Sequence, residues 1–202
     1  MKDYIKTSIW YREEITDPYQ IIANYFDFAT VADYRHQVLQ MIKKAYTKGI
    51  WQKRCPANVL FSFEQLEGLI NAAYLIDKEN KNGQLKIQRS EAFNPNLFRG
   101  WIGRLSDWDY FPRSLSFKEY TNPYLVFKRF FKYRELGDWK KALKPLQEYV
   151  LSPDPVFECM ESADSLQIYR YLLKLIEAAH LIDVREINHV GGRIKNRLPN
   201  KA

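Results

Sequence analysis

After the tripeptide Asp17-Pro18-Tyr19, apolar side chains fall at Ile21, Ile22, Tyr25 and Phe26. That i, i+1, i+4, i+5 spacing puts one buried stripe on a helix. Asp17 is placed to cap it and Pro18 to open it, where a missing N–H costs nothing. Gln20, three residues after Asp17, suggests a capping box. A second helix is expected from about Thr30 to Lys48, closed by Gly49. A third carries Leu66, Leu69, Ile70, Ala73 and Ile76 on one face, starting at Ser62 or nearer Pro56.

The same order then returns. Asn122-Pro123-Tyr124 stands 105 residues after Asp17-Pro18-Tyr19, and Val126, Phe127, Phe130 and Phe131 follow it at the same offset. Gly137-Asp138 reads as a helix stop followed by a cap, ahead of Trp139, Leu143, Leu146 and Val150. The nine residues 69–77 (LINAAYLID) recur 106 residues on as 175–183 (LIEAAHLID), with seven identities. Several matches in one order at nearly one offset point to an internal duplication. The paired alanines Ala72-Ala73 and Ala178-Ala179 leave little side chain between axes, so these helices are expected at the centre, close to another helix.

The expected fold is therefore all-α: two duplicated three-helix units related by an approximate pseudo-twofold or superhelical operation. The first unit spans residues 1–80, a linker 81–114, the second unit 115–185 and a basic tail 186–202, the two units sharing one compact domain. The helix pair within 124–149 loosely resembles one tetratricopeptide-type unit. The period of 105, against about 34 for that family, leaves only an antiparallel helix pair in common. Within the linker, 96–106 reads as a short helix and 107–112 as a loop with three aromatics, Trp108, Tyr110 and Phe111. Residues 115–121 are expected as a short helix or an extended arm.

Composition narrows the class. Of 202 residues, 46% are hydrophobic and 27% charged, with few Gly and Pro, which fits a globular chain rather than a disordered one. No uncharged apolar run approaches the ~20 residues of a membrane span, and the first 16 residues lack the core of a signal peptide. Cys55 and Cys159 form no C-x-x-C pair and are expected as reduced thiols in the cytoplasm. Net charge is +7, of which Arg193, Lys195, Arg197 and Lys201 supply four, leaving +3 for the rest.

Candidate chemistry is sparse. The glycines form no phosphate loop, no Ser sits in a nucleophile elbow, and the three histidines show no i, i+4 pair, so neither metal nor cofactor is expected. Arg185-Glu186-x-x-His189 has the residue types of an RNA-cleaving pair, but a surface arginine and a capping histidine at a helix end account for it more simply. The aromatic and basic linker is the main candidate. Trp101, Arg104, Trp108, Tyr110 and Arg113 are expected either to contact a partner or, for Trp108 especially, to clamp the two halves together. The leading functional expectation is a cytoplasmic binding or scaffold module acting on a protein partner without catalysis. The alternatives are a nucleic-acid binder using the linker and Arg193, Lys195, Arg197 and Lys201, and a hydrolase with a site between the repeats.

Overall fold

The computed structural model describes residues 17–49, 51, 55–100, 105–155, 162–190 and 193–197. Among them the α-helices are α1 (Pro18–Phe28), α2 (Val31–Ala45), α3 (Pro56–Lys78), α4 (Asp107–Tyr110), α5 (Phe117–Thr121), α6 (Tyr124–Tyr133), α7 (Leu136–Leu151) and α8 (Ser162–Glu186). A hairpin of β1 (Ile187–Val190) and β2 (Arg193–Arg197) follows.

The helix starts follow the local chemistry, with three adjustments. The Asp17 side chain accepts from the Tyr19 N–H at 2.9 Å, with Pro18 first in α1. Gln20 does not close a capping box; its amide donates to Asn24 at 2.6 Å. The reciprocal boxes sit instead at Thr30–Asp33 before α2 and Ser116–Glu119 before α5. Pro123 itself is the cap residue of α6, and Glu135 precedes α7, so Gly137 lies inside a first turn rather than ending a helix. α2 ends at Ala45 with Tyr46 as its cap, short of the expected Lys48, so Gly49 does not close the helix. It lies in the turn beyond, where its φ of +107° is left-handed backbone that favours glycine and its N–H donates to the Pro153 carbonyl at 2.8 Å.

The molecule is predominantly helical, and the two longest helices are its centre. Ala72, Ala73, Ala178 and Ala179 are fully buried, and α3 and α8 touch. α1 packs on α3 and also reaches α8; α6 packs on α8 and also reaches α3. The second helices cross over. α2 packs chiefly on α7 and α8, and α7 on α2 and α3. Two stacked aromatic pairs instead tie each second helix to the first helix before it, α2 to α1 and α7 to α6. Tyr34 lies on Tyr25 with centroids 3.9 Å apart and donates its hydroxyl to the Tyr25 carbonyl. Trp139 lies on Phe130 at 4.0 Å and donates its indole N–H to the Phe130 carbonyl at 3.2 Å.

The linker is stapled down. Glu177, fully buried on α8, accepts from Arg35 at 3.0 Å and from the backbone N–H groups of Arg113 and Ser114 at 3.0 and 2.7 Å. Arg35 also donates to the Phe111 carbonyl at 2.9 Å and to that of Asp109. Arg185 donates to the carbonyls of Leu97 at 2.7 Å and Tyr120 at 2.6 Å. Of the short helix expected over 96–106, residues 101–104 lie outside the described residues. The described part begins with a 3-10 turn at Pro95–Leu97, preceded by another at Arg89–Phe93, and is not α-helical. The expected loop at 107–112 holds the single turn α4, with Asp107 and Asp109 at its positive end.

The body of the molecule is helical as expected, and a small element is added at its C-terminal end. Where a basic tail was expected, β1 and β2 pair antiparallel, and both strands touch α1. The β-branched Ile187, Val190 and Ile194 flank Gly191-Gly192, and apolar β-branched residues on either side of Gly-Gly are a hairpin signal.

Candidate functional site

The expected linker residues separate. Trp101 and Arg104 lie outside the described residues. Tyr110 is 1% exposed, set beside Gly100 and over the His180 ring at 6.2 Å, so it belongs to the core and offers no partner-facing surface. Trp108 goes the other way. It is 64% exposed, which corrects the expectation of a clamp; the clamping is done by Tyr110 and by the Arg35–Glu177 pair. The two side chains sit two positions apart on one helical turn and therefore face different ways.

Trp108 is not isolated. Its ring meets Phe111 edge-on at 5.7 Å and Phe93 at 6.3 Å, and Phe93 stacks on Phe111 at 5.3 Å. Phe111 is half-buried against Phe98 and Tyr120, so it anchors the cluster, while Phe93 is 59% exposed. Arg113 is exposed at the rim, 3.6 Å from Asp109, and Arg99 lies 3.8 Å from Asp107. Its guanidinium also donates to the Trp108 carbonyl at 2.9 Å in the case of Arg113. The result is an exposed aromatic face with a charge-balanced rim.

A second site was not anticipated. A concavity of about 670 Å³ opens between the end of α1, α2 and the first turns of α3. Phe28, Met41, Val59 and Trp51 supply its apolar walls; Gln37, Gln40, Asn58 and Ser62 supply amides and a hydroxyl, with Asp33 and His36 also on its lining. Gln37 donates to the Ser62 hydroxyl, and Ser62 donates to the Asn58 carbonyl at 2.6 Å, which fixes one wall. The Trp51 indole N–H is buried without an acceptor. These residues come from three elements with no short motif among them. The signal that could have found them is the mismatch between halves: Gln37 and Ser62 stand where Ala142 and Ile168 stand at offsets of 105 and 106.

The remaining expected residues carry less. Arg193 and Arg197 bound β2 and Lys195 lies within it, while Lys201 is outside the described residues. Arg185 is mostly buried and engaged with two carbonyls, so it acts as a structural staple. Between the halves, beside Tyr110, His180 and Asp183, the space amounts to about 10 Å³, too small for a substrate. His180 donates from Nε2 to the Phe98 carbonyl at 2.7 Å. Burial holds its pKa down at about 4; the Phe98 carbonyl opposes this and the Arg35 and Arg185 charges add to it. No group of three or more His, Cys, Asp or Glu is placed to hold a metal among the described residues. No helix among them is long and apolar enough to cross a membrane.

Comparison with protein-family models, with curated proteins and with solved structures finds no match. The functional reading rests on the two surfaces just described.

Proposed function

We propose that this chain is a cytoplasmic helical binding module that engages a protein partner through the Phe93–Trp108–Phe111 face. The observation that carries this is a tryptophan 64% exposed, held in place by a half-buried phenylalanine rather than left loose. Trp and Arg at a preorganised apolar face are the composition of interface hot spots. The paired charges at the rim, Arg113 with Asp109 and Arg99 with Asp107, balance one another among the described residues and favour a partner that inserts an apolar side chain. The exposed, unpaired Cys55 suits a reducing compartment.

The frame behind this face reads as two related halves, α1–α3 and α6–α8. Supporting it are the two stacked pairs Tyr25–Tyr34 and Phe130–Trp139, which occupy corresponding positions and make the same carbonyl hydrogen bond. The reciprocal packing of α2 on α8 and α7 on α3 also supports it. Tyr19 and Tyr124, one repeat apart, bring their hydroxyls within 3.5 Å, as corresponding residues do beside a pseudo-twofold axis.

The test compares wild-type protein with Trp108→Ala and Phe93→Ala in crosslinked capture, followed by affinity measurement on the purified partner. A protein ligand that loses about 30-fold in affinity, equivalent to ~2 kcal/mol, with unchanged thermal stability of the variants, is the expected result. Equal capture by all three proteins overturns the reading. Binding to RNA or DNA with a steep salt dependence that Trp108→Ala leaves intact transfers it to the basic segment.

A further inference from the structure

We infer that the concavity between α2 and the first turns of α3 binds a planar, uncharged nitrogen heterocycle, carried as a nucleoside. Its volume of about 670 Å³ lies within the 300–1,000 Å³ range typical of small-ligand sites. The chemistry of the lining selects the class. Trp51 and Phe28 offer flat apolar surface, with Met41 and Val59 beside them. Asn58 carries an amide with a donor and an acceptor, and Gln37, whose Nε2 donates to Ser62, also carries a carbonyl oxygen, the kinds of group that pair with a base edge. The buried indole N–H of Trp51 can only donate, so it calls for a ring nitrogen or carbonyl oxygen on the ligand. Among the described lining residues there is no Lys or Arg to balance a phosphate, and Asp33 adds negative charge.

The other half of the chain strengthens the case, in a step that rests on the reading of two related halves. At the offset of 105, Phe28 and Ala29 correspond to Tyr133 and Arg134; at 106, Asn58 corresponds to Asp164. There the Arg134 guanidinium pairs with Asp164, and the Tyr133 hydroxyl donates to Asp164 at 3.3 Å while its ring stacks on Tyr171 at 4.3 Å. Gln37, Gln40 and Ser62 correspond to Ala142, Pro145 and Ile168. One half thus places an ion pair and stacked rings where the other keeps a concavity with polar groups along it.

The experiment is isothermal titration calorimetry of the full chain with adenosine, guanosine, cytidine and uridine, and with ribose as control. The expected result is saturable binding of at least one nucleoside with a Kd below about 1 mM, and none of ribose. The variant Ala29→Arg/Asn58→Asp is expected to weaken that binding at least ~10-fold, with its helical circular dichroism retained. Trp51→Phe keeps a ring but removes the N–H donor, and is expected to weaken binding several-fold; it decides the matter if the double variant fails to fold. The inference is overturned if no nucleoside binds the wild-type protein, if ribose binds as well as a nucleoside, or if Trp51→Phe binds as tightly as wild type. These outcomes are independent of Trp108 and so of the partner-binding face.

Discussion

Glu177 shows how one side chain can organise a segment distant in sequence. Its carboxylate receives Arg35 from α2 and two backbone N–H groups from the linker, all in a site without exposure. Glu177→Ala is therefore expected to cost ~3–5 kcal/mol, because it strands a nearly buried guanidinium and two amides together. Chemical denaturation at neutral pH measures it, and a loss below ~1 kcal/mol would mean the linker re-anchors elsewhere. His180 and Glu119 make the fold lose stability in acid, while burial raises the Glu67, Asp77 and Glu186 carboxyls and works the other way. The neutral imidazole is favoured in the folded state, with a pKa near 4 against an ordinary 6.5, so its contribution is complete above pH 6.5 and is lost as pH falls through 4. A shift of that size corresponds to roughly 3 kcal/mol. Burial alone would raise the Glu119 pKa, but hydrogen bonds from Lys174, the Ser116 N–H and Arg129 bring it down to about 2 from 4.5. Its contribution holds above pH 4.5 and fades toward 2. Stability measured from pH 7 to pH 3 should fall in two steps, with the upper one absent in His180→Gln.

At the scale of the element, the long helices α3 and α8 were legible because their apolar period and alanine pairs state both the helix and its burial. Ile176→Ala, in the fully buried stripe of α8, is expected to cost ~2–5 kcal/mol, read as a lowered melting temperature. An unchanged melting temperature would place that stripe in solvent. The helix starts were legible only in part. Asp17 behaves as its chemistry predicts, whereas Gln20 finds Asn24 closer than the cap. Trp108 and Tyr110 were not separable by composition: both are aromatic, and only the turn between them decides which faces the core. The concavity was illegible for a related reason. Phe28, Gln37 and Asn58 are ordinary residues until three elements bring them together.

For the whole molecule, the sequence order of the helices misstates who packs on whom. Two tandem units would each cover their own second helix. Here α2 is covered chiefly by α7 and α8, and α7 by α2 and α3. Fragments cut at the exposed stretch around Asn82, 1–82 and 83–202, are accordingly expected to show little cooperative unfolding apart and to regain it when mixed. Circular dichroism melts of each fragment and of the mixture test this, and a cooperative melt of 1–82 alone would contradict the crossed packing.

That crossing also sets a clock on biosynthesis. The apolar face of α2 leaves the ribosome long before α7 and α8 exist to cover it. At about 5–20 residues per second, the 105 residues separating the corresponding helices take roughly 5–20 s to be made. During that interval the nascent chain carries Val31, Tyr34, Val38 and Met41, all buried in the finished fold, without α7 and α8, although the Tyr25 partner of Tyr34 is already made. A chain built this way depends on whatever shields such a stripe during translation, and its yield should respond to elongation speed more than its final stability would suggest.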